Sequence, residues 1–170
     1  MSGRFTVLFV DDEPGLAELT ASFVEREDER ISTETATDVS TALDFLAEQT
    51  FDCIVSDYEM PGQNGLEFLR EVRDRFGEVP FVFYTGKGSE EIASKAFSAG
   101  ANEYYQKEAG TDQYTLLANS VRNLAEKHRA ELEKTRNLEV METAKEGLSI
   151  IGEDGTFEYV NQAYADTFGY

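Results

Sequence analysis

The sequence calls for an α/β fold, a parallel sheet with helices on both faces, and three observations lead there. Short apolar runs alternate with helix-patterned stretches five times along the chain. The connections between them are short, as expected where consecutive strand–helix–strand units stack into one sheet. The first apolar run is also continuous, the mark of a strand buried on both sides.

That first run is Phe5 to Val10, too short for a helix and rich in strand formers, and it stops at Asp11-Asp12. Pro14 suits the first turn of a helix, in which Leu16, Leu19 and Phe23 are expected to face inward up to the charged break at Glu25 to Arg30. Ile31 to Thr37 alternates like a half-exposed strand. Asp38 can cap the next helix, whose Val39, Ala42, Leu43 and Leu46 fall on one side. Cys53 to Asp57 is the central strand, and Pro61-Gly62 breaks the backbone after it. A third helix carries Leu66, Leu69, Val72 and Phe76. Pro80 opens the fourth strand, Phe81 to Tyr84, which ends at Thr85. Ser89 then caps a helix with Ile92, Ala93, Ala96 and Ala99 expected inside, and Gly100 closes it. Glu103 to Gln106 is a short fifth strand ending at Lys107, and a last long helix starts near Thr111.

Composition narrows the function. Fifteen basic residues against thirty-four acidic ones leave a net charge of −19, which repels a phosphate backbone and sets nucleic acid aside as a direct partner. An acidic excess spread through the whole chain suits strong brine, where screening removes most of the self-repulsion, so a salt-adapted, halophilic source is expected. The run Phe5 to Val10 meets Asp11-Asp12-Glu13 at once, and no run reaches bilayer-spanning length. Neither a signal peptide nor a membrane segment is expected, and the location follows as cytoplasmic. The single cysteine, Cys53, permits no internal disulfide and reads as a small core side chain. The 170 residues suffice for one well-cored domain and something smaller.

Four of the five strands end in polar groups, and ligands of open α/β sheets sit at that carboxyl edge. The groups are Asp11 and Asp12, Asp57, Thr85 and Lys107. Each alone passes for a helix cap, a turn residue or a solvated charge; gathered on one edge they form a candidate site. Crowded carboxylates repel one another and need a cation to stay ionised. Oxygen ligands from Asp12 and Asp57, a water held by Asp11 and a nearby main-chain carbonyl describe the partly hydrated octahedral site that Mg²⁺ prefers. Such an ion and the Lys107 ammonium together offset the charge of a phosphoryl group. Asp57 is then the expected nucleophile, an acyl phosphate the product, and the Thr85 hydroxyl a donor to one of its oxygens.

Residues Arg4 to about Lys127 resemble the receiver domain of two-component response regulators. The resemblance rests on the acidic pair Asp11-Asp12, on Asp57 followed by Met60-Pro61-Gly62, on Thr85, and on Lys107 with the aromatic Tyr104 three residues before it. It implies a flavodoxin-like sheet with strand order 2-1-3-4-5 and a phosphoryl group passed to Asp57 from a histidine kinase. It further implies Mg²⁺ held by Asp11, Asp12, Asp57 and the main-chain oxygen of Glu59, and a switch in which Thr85, Tyr104 and Lys107 respond to the phosphoryl group. The face made by the fourth helix, fifth strand and fifth helix would be remodelled. No stand-alone catalysis is implied beyond self-phosphorylation and autodephosphorylation at Asp57. Two positions depart from the family pattern. Glu108 follows Lys107 where proline is usual, so the loop is expected to be shaped differently; Glu59 lies where a hydrolytic water must pass.

From Thr111 to about Met141 no proline or glycine interrupts a helix. Its Leu117, Val121, Leu124, His128 and Leu132, then Leu138 and Met141 after a phase slip, fit either a parallel coiled-coil dimer or a solvated single helix lying partly on the domain. A homodimer through this helix or through the receiver face is thus open. His128, in Glu126-Lys-His-Arg-Ala-Glu, lacks the phosphodonor motif of sensor kinases. Leu148 to Ile151, Gly152 to Gly155 and Phe157 to Val160 read as a hairpin. With Tyr159, Val160, Asn161, Phe168, Gly169 and Tyr170 the stretch resembles the opening of a PAS sensor domain. It is too short to close that fold's cup, so either a piece of a longer protein or a poorly ordered tail is expected, with no ligand pocket in it. The expected divisions are a receiver domain over 1–127, a helical linker over 128–142 and a PAS start over 143–170. Two other readings share the residues: a receiver-shaped interaction module never phosphorylated, and an aspartyl-phosphate phosphatase. The adjacent Asp11-Asp12, in place of Asp-x-Asp, and the absence of a cap segment count against the second.

Overall fold

The computed structural model describes residues 4–86, 88–108, 110–143, 149–151 and 157–160. Strands β1 (Phe5–Val10), β2 (Ile31–Ala36), β3 (Cys53–Ser56), β4 (Phe81–Thr85) and β5 (Glu103–Gln106) form one parallel sheet in the order β2-β1-β3-β4-β5. Between them run α1 (Pro14–Glu27), α2 (Val39–Glu48), α3 (Gly65–Phe76) and α4 (Glu90–Ser98), and α5 (Asp112–Thr143) follows the last strand.

Because side chains along a strand alternate in direction, each central strand feeds two cores at once. Leu8, Val10, Ile54, Phe81 and Phe83 point to the side covered by α2, α3 and α4. Val7, Phe9, Cys53, Val55 and Val82 point to the side covered by α1 and α5. Cys53 is fully buried there, and that burial pushes its thiol pKa well above the usual range. Helix starts follow the sequence signals: Asp38 accepts the Thr41 N–H at 2.7 Å and Ser89 the Ile92 N–H at 3.1 Å. Asn64 does the same for α3, accepting from Glu67 N–H at 2.9 Å.

Helix α1 departs from expectation. Its buried residues are Ala17, Thr20, Ala21 and Val24, while Leu19 is 48% exposed and Leu16 and Phe23 are half-buried. Small side chains on the inner face let the helix lie close to the sheet, where a row of leucines would hold it off. Phe23 instead stacks flat on Tyr114 of α5, ring centroids 4.5 Å apart. In α4 only Ala96 is fully buried; Ile92, Ala93 and Ala99 are half-covered. In α5, Leu117 and Val121 belong to the core and Leu124 packs against it, so the first steps of the leucine pattern are the helix's docking face on the sheet.

The chain divides into two compact units, Met1–His128 and Arg129–Tyr170. The second holds the end of α5 and the antiparallel pair β6 (Ser149–Ile151) and β7 (Phe157–Val160), with Ile150 opposite Tyr159 and an irregularity at Ile150/Ile151. The pair agrees with the expected hairpin; its turn at Gly152 to Gly155, Leu148, and Asn161, Phe168, Gly169 and Tyr170 lie outside the described residues. Among the described residues no helix is long and apolar enough to cross a membrane.

Asp28 fastens the turn between α1 and β2. Its carboxylate accepts the Arg30 main-chain N–H at 2.9 Å and the Arg30 Nε and Nη2 at 3.2 Å, with Arg122 of α5 3.5 Å away. These contacts, the Arg30 side chain foremost, hold the Asp28 pKa below its ordinary value. A folded pKa below the unfolded one means stability that is present above the unfolded value and lost as pH falls through the folded one. Asp28→Asn should therefore lower the urea midpoint at neutral pH, and the gap to the native chain should close below about pH 4. Midpoints running parallel down to pH 3 would assign Asp28 no such part.

Candidate functional site

The site is set by which strands are neighbours. In the β1–β3 pairing Val10 lies beside Ser56, so the chains leave the sheet together and Asp57 N–H donates to the Val10 carbonyl at 2.9 Å. Asp11 turns inward and is 6% exposed; its Oδ1 accepts the Glu13 N–H at 3.0 Å. Asp57 Oδ1 accepts the Tyr58 N–H at 2.8 Å, which fixes the carboxylate's orientation. Carboxylate oxygens of Asp11, Asp12 and Asp57 all lie within 4.8 Å of one another.

Lys107 approaches from the other side. Its N–H donates to the Thr85 carbonyl at 2.8 Å, continuing the β4–β5 ladder past the end of β5. Its Nζ donates to Asp11 Oδ2 at 2.7 Å and stands 3.7 Å from Asp57 Oδ2. Among the described residues, one ammonium stands with three carboxylates, a surplus of negative charge. Burial, and next the charge of Asp11, raise the Asp12 pKa above its ordinary value. The donors are all hard oxygens in a cluster short of positive charge, which suits a small divalent cation and not a soft metal.

Above the carboxylates opens a cleft of about 740 Å³ lined by Asp12, Asp57, Glu59, Thr85, Gly86 and Lys107, among others. Thr85 is buried at the end of β4, and Glu59 is exposed at the rim. Tyr104 does not line the cleft. It packs on Phe83, ring centroids 6.4 Å apart, and burial raises its phenol pKa. The structure thus brings Asp11, Asp12 and Asp57 together, sets the Lys107 ammonium against Asp11 and near Asp57, lines the same cleft with Thr85 and Glu59, and packs Tyr104 on Phe83.

Sequence reasoning missed three contributors. Tyr58, beside Asp57, gives the carboxylate its main-chain donor, which any residue there supplies and no side-chain pattern announces. Gly65 donates its N–H to the Tyr58 carbonyl at 2.7 Å, and a Cβ on it would sit 2.5 Å from the Asp57 carbonyl and 2.6 Å from the Phe83 ring. The first residue of α3 must therefore lack a side chain for the turn carrying Asp57 to seat against it. Asn64, another residue of the cleft wall, was visible in principle, since Asn followed three residues later by Glu is a helix-start signature.

A doubly wound sheet with an acidic cluster and a lysine at its carboxyl edge defines a class of regulatory α/β domain, and comparison with known proteins narrows it. The response regulator receiver domain family matches residues 7–119. The chain belongs to that family, whose members act as phosphoacceptors in two-component signalling and take phosphate from histidine kinases. It is 28% identical over 165 residues to the C4-dicarboxylate transport transcriptional regulatory protein DctD of Rhizobium meliloti, covering 95% of this chain and 34% of that protein. It is 29% identical over 132 residues to the response regulator Rre1 of Synechocystis, covering 76% of this chain and 55% of that protein. The chain thus spans between a third and about half of these relatives. Among solved structures, TrrA of Thermotoga maritima, in complex with Mg²⁺-BeF, superimposes with a TM-score of 0.61 at 28% identity, covering 71% of this chain and 98% of TrrA.

Two outcomes test this geometry. Gly65→Ala should cost roughly 1–3 kcal/mol in chemical unfolding, since the added methyl meets main-chain atoms that cannot step aside. For Asp12, a folded pKa above the unfolded one means stability that is full at low pH and lost as pH rises through it. Asp12→Asn should accordingly raise the metal-free melting temperature at pH 7, with the gain fading below about pH 4. Added Mg²⁺ should stabilise the native chain and leave the variant nearly unmoved; equal shifts for both would mean that Asp12 is no ligand to the ion.

Proposed function

We propose that this chain is a phosphorylation switch in which Asp57 is the phosphoacceptor. What supports the reading above all is the convergence of Asp11, Asp12 and Asp57 with the Lys107 ammonium, 2.7 Å from Asp11 and 3.7 Å from Asp57, in one open cleft. An Asp57 oxygen attacks the phosphorus of a kinase phosphohistidine. The P–N bond breaks, its electron pair returns to the imidazole, which takes up a proton, and Asp57 is left as an acyl phosphate.

Asp12, Asp57 and the Glu59 main-chain oxygen would hold Mg²⁺ directly and Asp11 through a water. The ion would supply the positive charge that lets an anionic carboxylate meet an anionic phosphoryl group. That TrrA, a similar structure, is in complex with Mg²⁺-BeF supports a divalent ion beside the phosphoryl group. Lys107 shifts from Asp11 toward the incoming oxygens, and the Thr85 hydroxyl donates to one of them. Tyr104 then follows into the space that Thr85 leaves, changing the face formed by α4, β5 and α5.

The output passes along α5, from the receiver over 1–127 through a linker over 128–142 to a PAS-type segment beginning near 143, either in a homodimer joined through the receiver face or the helix or in a single chain. The setting is the cytoplasm, and the net charge of −19 suits a cell rich in salt. Incubation with acetyl phosphate and Mg²⁺ should add one labile phosphoryl group to the intact mass, and Asp57→Asn should abolish it. Steady release of phosphate from organic esters would point instead to a phosphatase, and an unchanged mass to an interaction module.

A further inference from the structure

The loop that carries Lys107 into α5 has no proline to stiffen it, and its described main-chain groups converge on one side chain. Gln113, in the first turn of α5, accepts the Glu108 N–H on Oε1 at 2.9 Å and donates from Nε2 to the Gly110 carbonyl at 2.9 Å and to the Glu108 carbonyl. The same Oε1 accepts the hydroxyl of Tyr84. A carboxamide has two donors and two acceptor sites, so this one is fully used. Tyr84 is 5% exposed and immediately precedes Thr85 on β4. Its ring lies beside the ammonium of Lys107, 5.6 Å from centroid to Nζ.

The lysine is therefore bracketed. Its main chain is tied to Thr85, the residue after it is tied twice to Gln113, and its charged end rests by the ring whose hydroxyl reaches the same amide. We propose that Gln113 and Tyr84 are positioning residues for Lys107, keeping its ammonium within reach of Asp57 during phosphoryl transfer. The chemical requirement is plain. A four-carbon side chain on an unbraced loop spreads its charge over many positions, and only those near the equatorial oxygens stabilise the transition state. Gln113 acts on the loop backbone and Tyr84 links that loop to the strand end bearing Thr85.

The proposal rests on Asp57 as acceptor and Lys107 as its counter-charge, and the test separates the two ideas. Phosphorylation of the full chain by acetyl phosphate at saturating Mg²⁺ is followed for the native protein, Gln113→Ala, Tyr84→Phe and Lys107→Ala, and for each of the first two changes combined with Lys107→Ala. Gln113→Ala should slow transfer about tenfold, the scale set by a displaced reacting group. Tyr84→Phe, which keeps the ring and removes one hydroxyl, should slow it about threefold and supplies the readout should Gln113→Ala fold poorly. Neither should slow transfer further once Lys107 is alanine, because residues acting through one group are not additive. Equal slowing with and without Lys107 would make the pair a general brace of the fold and overturn the proposal, as would no slowing at all. A native chain that gains no phosphoryl group would instead sink the acceptor reading, and this one with it.

Discussion

Like charges held within a few ångströms organise this molecule. Asp11, Asp12 and Asp57 come within 4.8 Å of one another because β1 and β3 are adjacent and end in register, and among the described residues the Lys107 ammonium sets its charge against the repulsion, with the Glu13 and Tyr58 N–H groups donating to Asp11 and Asp57. The sheet supplies the rigidity to hold them so. The strands that lead into Asp11, Asp57 and Thr85 are buried on both faces, and two separate cores resist the small separations that would ease the strain. A cluster so held gives its binding strength to an incoming cation or anionic group, where a soft scaffold would spend it on rearrangement.

Much of this was legible in the residues. Continuous apolar runs announced the doubly covered strands, and the caps Asp38 and Ser89 are where their spacing put them. The polar strand ends were found because the topology sends every carboxyl end to one edge, so Asp11, Asp12, Asp57, Thr85 and Lys107 could be placed together before any coordinates. What escaped depends on close contact and not on periodicity. The inner face of α1 is built from Ala17, Thr20, Ala21 and Val24, and a hydrophobicity pattern prefers Leu16 and Leu19 because it registers size and not available space. Gly65 carries no side-chain signal at all, although the missing side chain is what lets Asp57 take its position.

The loop after β5 shows how one departure is met by another. Glu108 in place of proline removes a fixed backbone angle. The Gln113 carboxamide replaces that restraint by hydrogen bonds spread over Glu108, Gly110 and Tyr84.

The lone thiol in the centre of the sheet gives the chain a private gauge of its own breathing. Cys53 lies on β3, beside the strand that bears the acidic pair and four positions before Asp57, wholly covered and held in its unreactive protonated form. An alkylating reagent can reach it only in molecules whose central strands have parted, so labelling speed reports the opening of the strand that leads into Asp57. Whatever tightens the cluster of charges at the strand's end should be audible, as a slower pulse of modification, at its middle.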